Sequence, residues 1–362
     1  MAAIFSIKPS NKGIIPDMNK FAVCQHITVR LFFIYLPFQV LSSIMLSHYI
    51  VLASVLLAGI KVASCSKPDN DMPVIPAEPL YFEYDLDNLE IHSGFSESEA
   101  RGVLENSYII EASGLAVSRS NPSRIWVHND SGDFNRLFVV GENAEDYGEF
   151  LIRGAFNRDW EDMAAGPGPV EGITYLYIGE IGDNHAQYEI MSIYRVPEPD
   201  ISGLDSVAYE PVDGVERIDF VYPDGLSRDA ETLMVDPWTR DIYIVTKRDE
   251  QSILFAARYP QATGRVIALE KVGYFPFNRA LAGDISADGT EIAVKTDDRI
   301  YYWNRNPDEP VYKALERQPL LLPYTVEPQG EAFGWMPDGS GYYTLSEKVD
   351  DIEPVLYFYS RK

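Results

Sequence analysis

Thiols are almost missing from this chain: its 362 residues contain two cysteines, Cys24 and Cys65. No residue after Cys65 can form a disulfide, act as a thiol nucleophile or give a zinc site its sulfur ligands. Histidine is nearly as scarce, with five in all and only His92, His128 and His185 beyond Cys65. The P-loop, the dinucleotide fingerprint, the His-Glu-Xaa-Xaa-His helix and the Gly-Xaa-Ser-Xaa-Gly elbow are all absent. Ser131, three residues after His128, therefore reads as a turn residue, and no organic cofactor is expected. The EF-hand loop is absent too, and Asn129-Asp-Ser-Gly-Asp133 echoes it only in part. No stretch sustains a 3.6-residue apolar period, so long amphipathic helices are not expected.

Positive charge is also short, and unevenly placed. Residues 1–65 carry five basic side chains against one acid, a net of +4 in a chain of −25, so residues 66–362 hold −29. So acidic a body repels phosphate backbones and anionic headgroups, which argues against a nucleic-acid partner. From Leu31 to Ile60 the chain is apolar and nearly uncharged, and Tyr49–Ile60 has the length of a signal-peptide core. Val62-Ala63-Ser64-Cys65 follows and resembles the lipobox of bacterial lipoproteins, which implies lipidation of Cys65. The expectation is an exported chain, lipid-anchored in the cell envelope (outer membrane or cell surface), with Met18 or Met45 as alternative starts. The competing reading is a transmembrane anchor over 31–60. Residues 66–79, rich in Pro and acid, read as a tether, and 80–362 as one domain and a monomer.

That domain is a series of short β-rich runs, among them Arg124–His128, Arg136–Val140, Thr174–Ile178, Asp241–Thr246 and Arg299–Trp303. Turn pairs such as Ser131-Gly132, Asp224-Gly225, Asp288-Gly289 and Asp338-Gly339 separate them. Five segments share a pattern of small or acidic residues followed by an apolar strand. Aligning Ser113, Glu161, Glu231, Asp284 and Glu331 gives steps of 48, 70, 53 and 47 residues. Four strands with turns need about this length, so the pattern predicts an all-β propeller. Five blades are expected, with six as the alternative if Pro197–Gly214 is the remnant of another. The last unit has only three strands, and an N-terminal strand, Leu80–Asp85 or Ser107–Ile110, is expected to close the ring.

In a propeller the first strand of each blade lines the central channel, so the acids at the repeat starts should meet at one mouth. Asp130, Glu161, Glu180, Asp183, Glu231, Asp284 and Glu331 are the candidate metal ligands, and Ca²⁺ suits them because it accepts six to eight oxygens with loose geometry. The alternative is that these acids accept backbone N–H bonds and tie neighbouring blades together. Asn129, Asp130, Asp133, Asn184, Arg248 and Lys295 are the candidate ligand-binding residues. Glu161, Asp162 and Lys247 are the candidates for catalysis, by activating water and stabilising an anion. The tryptophans read as blade packing, with Trp160 between two acids the one to watch.

Ser113-Gly-Leu-Ala, Asn129–Asp133, Asp159-Trp-Glu-Asp162, Gly182-Asp-Asn184, Tyr194–Glu198, Asp229-Ala-Glu231 and Gln329-Gly-Glu-Ala332 together resemble a group of uncharacterised bacterial propeller proteins. That resemblance covers most of 105–360 and implies the fold without a reaction. Glu111–Leu115, Trp160-Glu161 and Gly330-Glu331-Ala332 are similar to blade starts of calcium-activated apyrases, five-bladed propellers with a central Ca²⁺. Lys247-Arg248 matches in part the basic pairs that grip phosphates there, and a likeness to phytase-type esterase propellers is of similar strength. Two functions follow as expectations. One is a binding module for a small molecule or protein, with a divalent cation at the acidic mouth; the other is a Ca²⁺-dependent phosphoester hydrolase.

Overall fold

The structure is a computed structural model and describes Pro76, residues 78–203 and residues 207–362. The expected lipobox segment at 1–65, and all of the tether except Pro76, Glu78 and Pro79, lie outside the described residues. The chain divides into two units, Met1–Asp69 and Asn70–Lys362, and the described residues all belong to the second.

Among the described residues the structure is β, apart from one short helix, Val311–Leu315. Blade one is built from Ala112–Val117, Arg124–Asn129, Arg136–Gly141 and Asp146–Ile152. Blade two is Trp160–Pro167, Thr174–Glu180, Met191–Pro197 and Glu216–Val221. Blade three is Ala230–Val235, Ile242–Thr246, Ile253–Ala257 and Glu270–Tyr274. Blade four is Ala282–Ile285, Glu291–Lys295, Ile300–Asn304 and Leu320–Leu322. Each is an antiparallel meander in sequence order. The turn glycines act as expected: Gly289 (φ 78°) and Gly339 (φ 74°) adopt the left-handed backbone that closes the first hairpins of blades four and five.

Blade five completes the ring. Gly330–Trp335, Gly341–Ser346 and Val355–Ser360 are its own strands, and Glu99–Val103 pairs antiparallel with Val355–Ser360 as the fourth. The closing strand is N-terminal, as expected, but it is neither of the two runs named from sequence. Leu80–Tyr81 instead adds in parallel to the outer edge of blade three. Ser107–Ile110 lies in the loop that enters blade one. The count is five, because the long second unit holds no further blade. Its insertion runs Ala208–Val212 in parallel along the outer strand of blade one. Ile267–Ala268 covers blade two in the same way, and Ile91 bridges Leu321 of blade four, so exposed sheet edges are short.

Packing follows the ring. Five hydrophobic clusters each join two successive blades, for example Trp126 and Phe150 with Trp160 and Tyr194, and Leu115 and Phe138 with Tyr343 and Phe358. The remaining three link blades two to three, three to four and four to five. The innermost strands converge on the axis and are buried at every position in blades one, three, four and five. Their mouth ends are small for that reason. Gly283 lies against Thr232 of the next inner strand with no room for a side chain.

Candidate functional site at the channel mouth

Four of the five inner strands slip register with their second strand at the mouth end. The slips fall between Ala112 and Gly114, Trp160 and Met163, Ala230 and Thr232, and Gly330 and Ala332. The extra residues are Ser113, Glu161 with Asp162, Glu231 and Glu331. A bulge leaves its residue outside the ladder and re-aims the side chain, which here brings three glutamates together in the channel. Blade four has no slip: Ala282–Ile285 pairs continuously with Ile292–Lys295. Asp284 therefore falls in the register of Met163, Leu233 and Phe333, and the alignment of Asp284 with the three glutamates is corrected. Its Oδ2 accepts the Trp335 backbone N–H at 3.1 Å instead.

The acids form two groups that share one member. Glu161, Glu231 and Glu331 are buried and each offers an oxygen within 4.8 Å of the others; Asp130, Asp159 and Glu161 do the same nearer the mouth, with the two aspartates half-buried. The inner group has a counter-charge. Lys247 Nζ bonds Glu231 Oε1 and lies 3.6 Å from Glu331. The outer group is less well compensated: among the described residues no basic side chain forms a direct ion pair with Asp130, Asp159 or Glu161, and Arg158 acts on Asp159 only through space. Ser113 Oγ donates to Glu161 Oε2 at 3.3 Å, and Glu231 Oε2 is buried without a partner. Gly182 backs directly onto Glu161 and Asp159, so the site has no space for a side chain there.

Crowding shows in the acidities. Burial, then repulsion from Glu231, Asp130 and Glu331, pushes Glu161 well above the usual carboxylate range. Burial raises Glu231 likewise, with Glu331 adding to it and Lys247 opposing. Asp130 is pushed up to about 7 by burial and by Asp159. Burial works against the charge of Lys247, but Glu231 and Glu331 hold its ammonium above the usual value.

Several expected site residues make further contacts. Asp162 Oδ2 accepts the backbone N–H groups of Leu233 (2.9 Å) and Gly283 (3.0 Å), so it ties blades two, three and four together. Glu180 accepts from the Arg158 and Asp159 backbone and pairs with the Arg158 guanidinium at 3.0 Å. Asp183 accepts from the Gln187 and Tyr188 N–H groups at 2.8 and 2.7 Å. Asn129 Oδ1 accepts from the Ile110 and Glu111 N–H groups, while Asp133 pairs with Arg136. Arg248 joins Asp229 (2.5 Å) to Asn184. Lys295 is fully buried, donates to the Gly330 and Thr296 carbonyls, and is brought down to about 8 by burial. His128 packs edge-on to Trp160 in the core, where burial lowers it to about 4.

Two site residues were weakly marked in the sequence. Asp159 belongs to the outer group and lies two residues before Glu161, the residue on which the repeat aligns. Glu347 is raised to about 8 by burial and by Glu331, and the signal for it was its place just past a second strand. A cavity of about 450 Å³ opens beside the inner acids, lined by Lys247, Arg248, Arg279, Asp297, Glu327 and Glu331 among others. Around the mouth, the connecting loops expose Tyr108, Phe134, Phe156, Leu226 and Val326.

No protein-family model matches the chain, and no curated protein is similar to it. Among solved structures it is similar to the hydrazine synthase of Kuenenia stuttgartiensis, at 10% identity and a TM-score of 0.34, over 64% of this chain. The likeness spans 61% of the matched chain of that structure. It is also similar to the WD40 domain of Neurospora crassa Pan2, at 9% identity and a TM-score of 0.39, over 76% of this chain and 98% of that one. These likenesses carry no inference about ligand or activity.

Proposed function

We propose that this chain is a ligand-binding propeller of the cell envelope, anchored through Cys65, that holds a divalent cation of the calcium type at its channel mouth. The observation that carries the reading is the outer group: three carboxylates with oxygens within 4.8 Å of one another, one of them buried, and no direct ion pair to any of them among the described residues. Carboxylates so placed repel each other unless protons or a cation intervene, and an all-oxygen donor set suits a hard ion. Asp130, Asp159 and Glu161 would hold it, and such an ion would offer open positions to a ligand's oxygens. The exposed aromatic and aliphatic side chains on the surrounding loops support a docking role for the same face.

The hydrolase reading has less support, because the basic groups it needs are engaged. Lys247 is held by Glu231 and Glu331, Arg248 by Asp229, and Lys295 by two backbone carbonyls. The test of the cation is thermal melting of the purified protein in EDTA and then in excess Ca²⁺. An ion present at 100 times its dissociation constant stabilises by about 2.7 kcal/mol, which a melt resolves easily. An unchanged melting temperature with Ca²⁺, Mg²⁺ and Mn²⁺ alike overturns the reading. For the anchor, the mass of the mature chain is decisive, and a first residue other than a lipid-modified Cys65 refutes it.

A further inference from the structure

We infer that Lys247 is a built-in counter-cation occupying the inner half of a two-ion site, so that the channel takes one divalent ion and would take two without it. The inference rests on the cation reading above. Glu161 belongs to both acidic groups, an arrangement in which one carboxylate could bridge neighbouring ions. The two halves differ in one respect: only in the inner one does a basic side chain pair directly with the acids. Lys247 Nζ bonds Glu231 and approaches Glu331 to 3.6 Å, so its ammonium stands between two of the three inner carboxylates.

The compensation is incomplete, which marks the inner half as a place that would accept an ion of double charge once the ammonium is removed. One ammonium faces three carboxylates, and Glu231 Oε2, on a side chain only 3% exposed, has no hydrogen-bond partner. A buried carboxylate oxygen left bare is costly, whereas an ion of double charge would engage it.

The blade repeat shows where the lysine comes from. Asp130, Lys247 and Glu347 are equivalent, each being the first residue past the second strand of its blade. Each donates its backbone N–H to the residue just before the inner strand: Asp130 to Glu111 O (2.8 Å), Lys247 to Asp229 O (3.0 Å) and Glu347 to Gln329 O (3.0 Å). The position that supplies an acid to the outer half in blade one thus supplies an ammonium to the inner half in blade three. Lys247 is a positioning residue here, setting the number of ions and touching no ligand.

Calcium titration by calorimetry on the full chain, with Lys247→Met and Lys247→Arg, tests this. The expected result is one Ca²⁺ for the unaltered protein, two for Lys247→Met and one for Lys247→Arg, which keeps the charge. If Lys247→Met cannot fold in EDTA, refolding in Ca²⁺ should restore it, and failure to do so counts against the inference. One ion in both the unaltered protein and Lys247→Met overturns the role of the lysine and leaves the cation reading standing. No ion in any form overturns both. Two ions in the unaltered protein overturn the inference alone.

Discussion

Glu161 and Asp162 are consecutive and both buried, yet the bulge in blade two turns them to different tasks. Glu161 faces the channel and its fellow acids. Asp162 points into the ring wall, where its two oxygens accept the backbone N–H groups of Met163, Leu233 and Gly283 at 2.9 to 3.0 Å. Replacing Asp162 with Ala strands those three donors, and each buried unsatisfied donor costs about 1–3 kcal/mol. The expected loss in urea unfolding is therefore on the order of 3 kcal/mol or more. A loss under about 1 kcal/mol would show that the neighbouring strands do not depend on this carboxylate. The motif Asp159-Trp-Glu-Asp162 made all its acids stand out equally. Nothing in the one-dimensional pattern separates a channel carboxylate from a wall carboxylate, because a single extra residue in the ladder decides between them.

The closing strand sets the terms at the next scale. Glu99–Val103 shows no strand-like alternation and is largely exposed; it becomes a strand because Val355–Ser360 offers it a free edge. Arg101 lies over the Phe358 ring at 4.6 Å and adds a local contact. A chain starting at Leu104 would leave that edge open beside the cluster joining blades five and one. It should aggregate on size-exclusion chromatography or melt well below the intact protein, and a monomer with an unchanged melting temperature would contradict this role for the strand. The four-strand blades themselves were readable, since apolar runs and Gly turns at about 50-residue steps are local features. The parallel outer strands were not. Ala208–Val212 contains Glu210 and Pro211 and takes its form from Asp146–Ile152, where Gly148 (φ 118°) leaves room for the Ala208 backbone.

Taken as a whole the chain is strongly acidic, and burial gives that charge a definite pH signature. Burial raises Asp284 to about 6 and Glu327 to about 7, both above their values in an unfolded chain. The folded form then keeps protons that the unfolded form has released, so the stabilisation is complete at low pH and is lost as pH rises through 6 and 7. Asp130 and Glu161 act in the same direction. His128, lowered to about 4, acts oppositely between about 6.5 and 4, but as a single group. Unfolding free energy measured in EDTA should therefore fall between pH 5 and pH 8, by on the order of 1–3 kcal/mol. Asp284→Asn and Glu327→Gln should flatten that slope, and stability rising toward pH 8 would refute the assignment.

Local chemistry by itself determined the blade length, the turns, the acid-rich mouth and the exclusion of thiol and P-loop mechanisms, because each depends on neighbours within a few residues. Tertiary structure decided which acids meet. Register slips in four inner strands, and their absence in blade four, select Glu161, Glu231 and Glu331 and set Asp284 aside. It also decided that Lys247 stands among them, since an ammonium reaches carboxylates 16 and 84 residues away only when the ring has closed.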